Sequence, residues 1–316
     1  MTGRQRAGLM FGGCIGAGVA VQARINGALG ERLQDGVAAA VVSFGSGLLV
    51  VAVVCVGSGS GRAGVVRVCR AVRGGSLRWW QLLGGLCGAF FVACQGLTVA
   101  AIGVTAFTVS AVAGQLVSSL VVDRQGVGPG GRTAVTGWRV GGAVVALGAV
   151  VLATFGRRGG SGSAGPGWFG AVPVGVLIVL PVLAGVGVAW QQAVNGRVGA
   201  VGGPRTATLA NFVTGTVGLL LVESLVVVGN GWPATFPAEP WLYLGGVIGV
   251  FFIGLAVVVV RWIGVLLLGL TSVAGQLLMS LLLDLSAPTG RALSVPAVAG
   301  CLLTFAAVAL AARDRA

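Results

Sequence analysis

Runs of about 20 mostly apolar residues alternate along this chain with short breaks of Gly, Pro and Arg, the pattern of a polypeptide that crosses a bilayer repeatedly. The runs predict helical spans near residues 7–28, 36–57, 79–100, 103–122 and 134–155. A second set follows near 168–195, 205–229, 241–260, 263–284 and 292–312. Residues 156–167, rich in Gly and Ser, read as the linker between the two sets. The N-terminal run follows MTGRQR and resembles a signal peptide, but its sequence recurs internally, where no processing applies. It is therefore expected to be a retained span.

The internal recurrence is extensive. GVAVQARINGALG (18–30) returns as GVAWQQAVNGRVG (187–199), and AGQLVSSLVVD (113–123) returns as AGQLLMSLLLD (274–284). The chain divides into a first five-helix repeat over 1–155 and a second over 168–316. Five spans is an odd number, so the second copy should enter the membrane upside down. Arginine placement tests that expectation, because cytoplasmic loops are enriched in basic residues. The link after the second span carries Arg62, Arg67, Arg70, Arg73 and Arg78, whereas its counterpart, 230–240, carries none. Arg261 stands where the first copy has Ala100, and Arg124 and Arg132 outnumber Arg291 at the matching place. Arg4 and Arg6 at one end, and Arg313 and Arg315 at the other, place both termini in the cytoplasm; Arg157 and Arg158 go against the pattern. The expected fold is an all-α membrane protein of ten transmembrane helices in two inverted five-helix repeats.

Composition agrees with a bilayer location and excludes several functions. Of the 316 residues, 56% are hydrophobic and 9% charged, too apolar for one soluble core. The net charge of +13 comes entirely from Arg lying mostly between apolar runs, which reads as topology signalling rather than nucleic-acid binding. Six Cys and no His offer no metal site, no GxxxxGK[ST] supports an ATP-driven pump, and no catalytic set indicates an enzyme. No cofactor is expected. Clustered glycines such as Gly84, Gly85 and Gly88, repeated as Gly245, Gly246 and Gly249, read as close helix packing.

Polar residues inside the apolar runs are the candidate site. Gln22 and Asn26 in the first span, like Gln191 and Asn195 in the sixth, are four residues apart and share a helical face, with Gln192 beside them. Amides are costly against lipid, so both pairs should point inward, as interhelical glue or as the lining of a substrate path. In the fourth and ninth spans, Gln115, Ser119 and Asp123 match Gln276, Ser280 and Asp284, each set making a stripe about 12 Å long at 1.5 Å per residue. Asp123 and Asp284 would lie at opposite mouths, either binding a proton or a cation, or solvated in the interface. Arg24 and Glu223 lack repeat partners and fall within predicted spans. They join the two aspartates as candidate coupling charges, whether paired or acting separately.

These residues resemble the YdcZ-like branch of the drug/metabolite transporter superfamily. The resemblance rests on VQARINGALG, SFGSG (43–47), LGGLCGAFF (83–91) and AGQLVSSLVVD in the first half. WQQAVNGRVG, NFVTG (211–215), LGGVIGVFF (244–252) and AGQLLMSLLLD carry it in the second. It implies a fused ten-span form and an inner-membrane exporter of small molecules, with no substrate established for the family as a whole. Related small multidrug exporters use a Glu in the first span to exchange protons for cationic drugs. Here the first and sixth spans offer only amides, which suit polar neutral or zwitterionic solutes better. The expected function is secondary transport of a small metabolite or drug by alternating access, with H+ or another ion as the coupling partner. The competing reading is a non-transporting membrane scaffold or accessory subunit.

Overall fold

A computed structural model describes residues 3–128, 131–132, 134–155, 177–233, 235–286 and 295–312. The linker 156–167, the start of the sixth predicted span, and Arg157, Arg158, Arg291, Arg313 and Arg315 lie outside the described residues. The described residues form α1 (Gly3–Leu33), α2 (Gly36–Gly57), α3 (Gly59–Arg73), α4 (Gly84–Gln125), α5 (Gly137–Phe155), α6 (Val179–Gly202), α7 (Pro204–Asn230), α8 (Gly245–Leu285) and α9 (Val295–Ala312). Short 3-10 turns at Trp79–Leu83 and Pro240–Tyr243, equivalent positions in the two repeats, lead into α4 and α8.

By length and composition, Arg6–Leu33, Gly36–Gly57, Trp79–Gln125 and Pro204–Gly229 are each able to cross a membrane. α4 is two helices joined at Gly103, whose φ of 78° and ψ of 163° only glycine adopts readily. This break falls where the apolar pattern ends one span near 100 and begins the next at 103.

The burial pattern follows membrane logic. α2 turns Ala38, Ala39, Ala40, Ser43 and Gly47 inward and leaves Leu49, Val53 and Val56 exposed. On α7 the most exposed large residues, Leu221, Leu225 and Val228, again face outward. Small residues inside and bulky ones outside suit helices that pack by close backbone approach within lipid.

The halves interleave. α1 packs along α8, α6 along α4, α5 against α9, and α2 crosses α7. Glycines make these crossings possible, and they do so in equivalent pairs. A Cβ on Gly16 would run into the carbonyl oxygen of Ser272, and one on Gly185 into that of Ala111, its repeat equivalent. Gly246 lies against the Ser43 carbonyl as Gly85 lies against that of Asn211. Phe44 and Phe212, themselves equivalent, meet at the α2–α7 crossing with ring centroids 5.0 Å apart.

The Arg-rich link after α2 is more ordered than the sequence pattern suggests. Ser58 accepts a hydrogen bond from the Gly61 amide at 3.1 Å and caps α3. This helix buries Gly61, Gly64 and Val68 on one face and leaves Arg62, Arg67, Arg70 and Arg73 exposed. Arg67 donates to the Val201 and Gly202 carbonyls at 3.1 and 3.2 Å, satisfying acceptors that α6 leaves open at its C-terminus. At the other link, Arg32 pairs with Glu239 at 2.6 Å.

Candidate substrate path

Both amide pairs point inward, and each meets a third polar residue from another helix. In the first half, Gln22 donates through Nε2 to the Gly245 carbonyl at 2.9 Å. Asn26, fully buried, donates through Nδ2 to Oε1 of the equally buried Gln95 at 2.7 Å. In the second half, Gln191 Nε2 and Asn195 Nδ2 both donate to Asn211 Oδ1 at 2.8 Å. The third residue comes from different places. Gln95 lies on α4 and has Ala256 as its repeat equivalent, whereas Asn211 lies on α7 and corresponds to Ser43.

This asymmetry leaves the two clusters in different chemical states. Asn211 accepts two donors through one oxygen. In the first half, Asn26 Oδ1, Gln95 Nε2 and Ser43 Oγ are buried with no partner among the described residues. Gly245 is close to both acceptors: a Cβ there would run into Asn26 Oδ1 and lie 3.0 Å from Ser43 Oγ. Buried polar atoms without partners are costly. Ser43 and Asn211 directly precede the two rings in contact, Phe44 and Phe212, and Gly249 lies beside both Gln22 and Phe212.

The polar stripes of the fourth and ninth predicted spans are less alike than their sequences. Gln115 reaches Gln192 at 3.2 Å, joining α4 to α6. Ser119 and Ser280 each donate to a carbonyl of their own helix, Leu116 and Leu277, at 2.8 Å, and Gln276 is buried. Asp123 accepts a hydrogen bond from Arg139, a buried arginine on α5. Asp284 instead accepts from the backbone amides of Val104 and Thr105 at 3.0 and 2.9 Å. It caps the second half of α4, supplying acceptors for amides freed by the break at Gly103. Arg24 is half-buried and does not pair with Glu223. Glu223 is 2% exposed, with no partner for either carboxylate oxygen.

Gln95, Asn211, Ser43 and Arg139 were not singled out from the sequence. Gln95 stands in FFVACQGLTV, an amide in an apolar run like Gln22, but it has no polar repeat equivalent. Asn211 lies within NFVTG, and Arg139 within the predicted span 134–155, where an intramembrane charge is itself a signal. A groove at the end of α4, lined by Leu120, Val121, Arg124, Gln125, Arg132 and Val135, includes none of the residues of the two amide clusters.

A family model described as "Putative inner membrane exporter, YdcZ" matches residues 7–152 and again 176–310. The chain belongs to this YdcZ-like family. At that level it is an inner-membrane transporter of a small-molecule solute, in a lipid environment. No curated protein matches. A solved chain described as "Crystal structure of protein" shares 20% identity and a TM-score of 0.50, covering 96% of this chain and 95% of that one; it shows the fold alone.

Proposed function

We propose that this YdcZ-like chain is a secondary transporter that exports a small polar solute by alternating access between two inverted five-helix repeats, over 1–155 and 168–316. The single observation that carries this reading is that the equivalent residues Phe44 and Phe212 touch, each directly following a residue of an amide cluster, Ser43 and Asn211. When equivalent residues of two copies touch each other, a rotation relating the copies passes near their midpoint. An axis there makes Asn26 and Asn195 symmetry mates at the contact between the repeats, the usual place for a transporter site. The interleaved helices, the equivalent glycine contacts and the match of the family model to both halves support the same reading.

The solute path consists of Gln22, Asn26 and Gln95 from one side and Gln191, Asn195 and Asn211 from the other, with Gln115 and Gln192 continuing it. These groups donate and accept hydrogen bonds without bringing a charge, so they suit a neutral or zwitterionic solute. Both termini are cytoplasmic in this arrangement. Asn26 and Gln95 are closed off from solvent in this conformation.

The test is flux. Purified protein in phospholipid vesicles is offered a panel of labelled amino acids, sugars and organic cations. Uptake or exchange by the native chain that is lost in Asn26→Ala and Asn195→Ala supports the reading. No flux across the panel would favour a membrane scaffold.

A further inference from the structure

We propose that Glu223 holds the proton that this transporter exchanges for its solute. The inference rests on the transport reading above and narrows the coupling group to one residue.

The four candidate charges have separate surroundings. Asp123 is joined to Arg139, so its charge is balanced. Asp284 is engaged by the Val104 and Thr105 amides, an arrangement that favours a carboxylate acting as a cap. Arg24 is a half-buried cation that does not reach Glu223. Glu223 alone of the four is fully buried with both oxygens unpartnered.

An isolated ionised carboxylate out of water is so unfavourable that the group takes up a proton instead. Among the described residues, no hydrogen-bond donor or cation meets either carboxylate oxygen of Glu223. Along α7, Phe212, Thr216, Leu219 and Glu223 form one buried face at spacings of four, three and four residues. Phe212 and Leu219 are apolar, and the Thr216 hydroxyl oxygen has no partner either. Among the elements packed against α7, the charge bearing on Glu223 is Asp35 at the head of α2, which has the same sign. Asp35 is engaged with the Val37 and Ala38 amides and supplies no proton donor to Glu223.

The position suits coupling. Asn211, the shared acceptor of the second amide cluster, precedes Glu223 by twelve residues on the same helix, about 18 Å at 1.5 Å per residue. One rigid element thus carries both a solute-site residue and the proton site. The carboxylate gains a proton to become a neutral carboxyl when α7 lies as it does here. It releases that proton when movement of α7 exposes the group to water, with no other bond made or broken.

Two measurements on the full chain in phospholipid vesicles test this. Infrared spectroscopy at neutral pH should show a protonated-carboxyl stretch that shifts in D2O, disappears in Glu223→Gln, and persists in Asp123→Asn and Asp284→Asn. A native spectrum without that band, or the same band in Glu223→Gln, overturns the proposal. With an entrapped pH dye and any solute that the native chain transports, Glu223→Gln should keep solute-for-solute exchange while losing solute-linked proton movement at least tenfold. Unchanged proton movement in this variant overturns it. Gln matches the neutral carboxyl in shape, and Glu223→Asp, which keeps the acid, should recover part of the proton movement if Glu223→Gln fails to fold. Lack of any flux by the native chain would instead remove the transport reading, leaving the infrared band to report on the proton site by itself.

Discussion

Asn26 donates to Gln95 at 2.7 Å, although the two residues are 69 positions apart and neither is exposed. The bond joins α1 to the first part of α4, and it leaves the outer atoms of both amides, Asn26 Oδ1 and Gln95 Nε2, without partners. Replacing Gln95 with Leu removes the acceptor and leaves the Asn26 amide buried alone. The expected loss is about 1–3 kcal/mol, read as a lower thermal unfolding midpoint of the protein in detergent. A Gln95→Leu midpoint equal to the native one would mean that the bond contributes nothing.

Asp284 holds together the break in α4. Asp284→Ala should destabilise by about 0.5–2 kcal/mol, the usual range for loss of a capping side chain, and Asp284→Asn by less because an acceptor remains. Gly103→Ala should cost about 1–3 kcal/mol for a different reason, because alanine is strained in that backbone conformation. If the cap and the break act as one unit, the double variant Gly103→Ala/Asp284→Ala will lose less than the sum of the singles. Strict additivity would separate them.

Close helix approach predicts which glycines are indispensable. Gly85→Ala and Gly246→Ala place a methyl group against the Asn211 and Ser43 backbones, at equivalent crossings of the two halves. Each should lower stability by about 1–3 kcal/mol through overpacking. Gly45, with open space where its Cβ would lie, is the control, and Gly45→Ala should leave the unfolding midpoint near the native value. Equal effects at all three positions would contradict the packing described.

Orientation is testable by labelling. In a variant with its native cysteines replaced, a cysteine at Ser76, in the Arg-rich link, should react with a membrane-impermeant maleimide only after the membrane is opened. A cysteine at Ala238, in the equivalent link without basic residues, should react in intact spheroplasts. Both positions are exposed, so access rather than burial decides the outcome. Labelling of both from the same side would sink the inverted arrangement.

The polar residues show how far local sequence reaches. Gln22, Asn26, Gln191 and Asn195 were recognisable because an amide in an apolar helix must face protein, and because each pair occurs twice. Gln95 had the same cost in lipid but no repeat equivalent, so reading through the repeat passed over it. The partners of Asp123 and Asp284 were not legible at all. Identical stripes place each aspartate at the same point on its helix, but the groups that face it come from elsewhere. Arg139 on α5 meets one, and the amides after Gly103 meet the other.

What the sequence determined by itself are the properties that depend on spacing along one segment: apolar length, helical face, internal duplication and the distribution of arginine. Each arises from the solvent surrounding a helix, and water or lipid acts on every residue locally. The tertiary structure decided the rest. It set which amide receives which donor, which aspartate caps a helix, and that Glu223 is buried without a partner. Those outcomes depend on helices that are distant in the chain and close in space, brought together because paired glycines let α1 lie against α8 and α6 against α4.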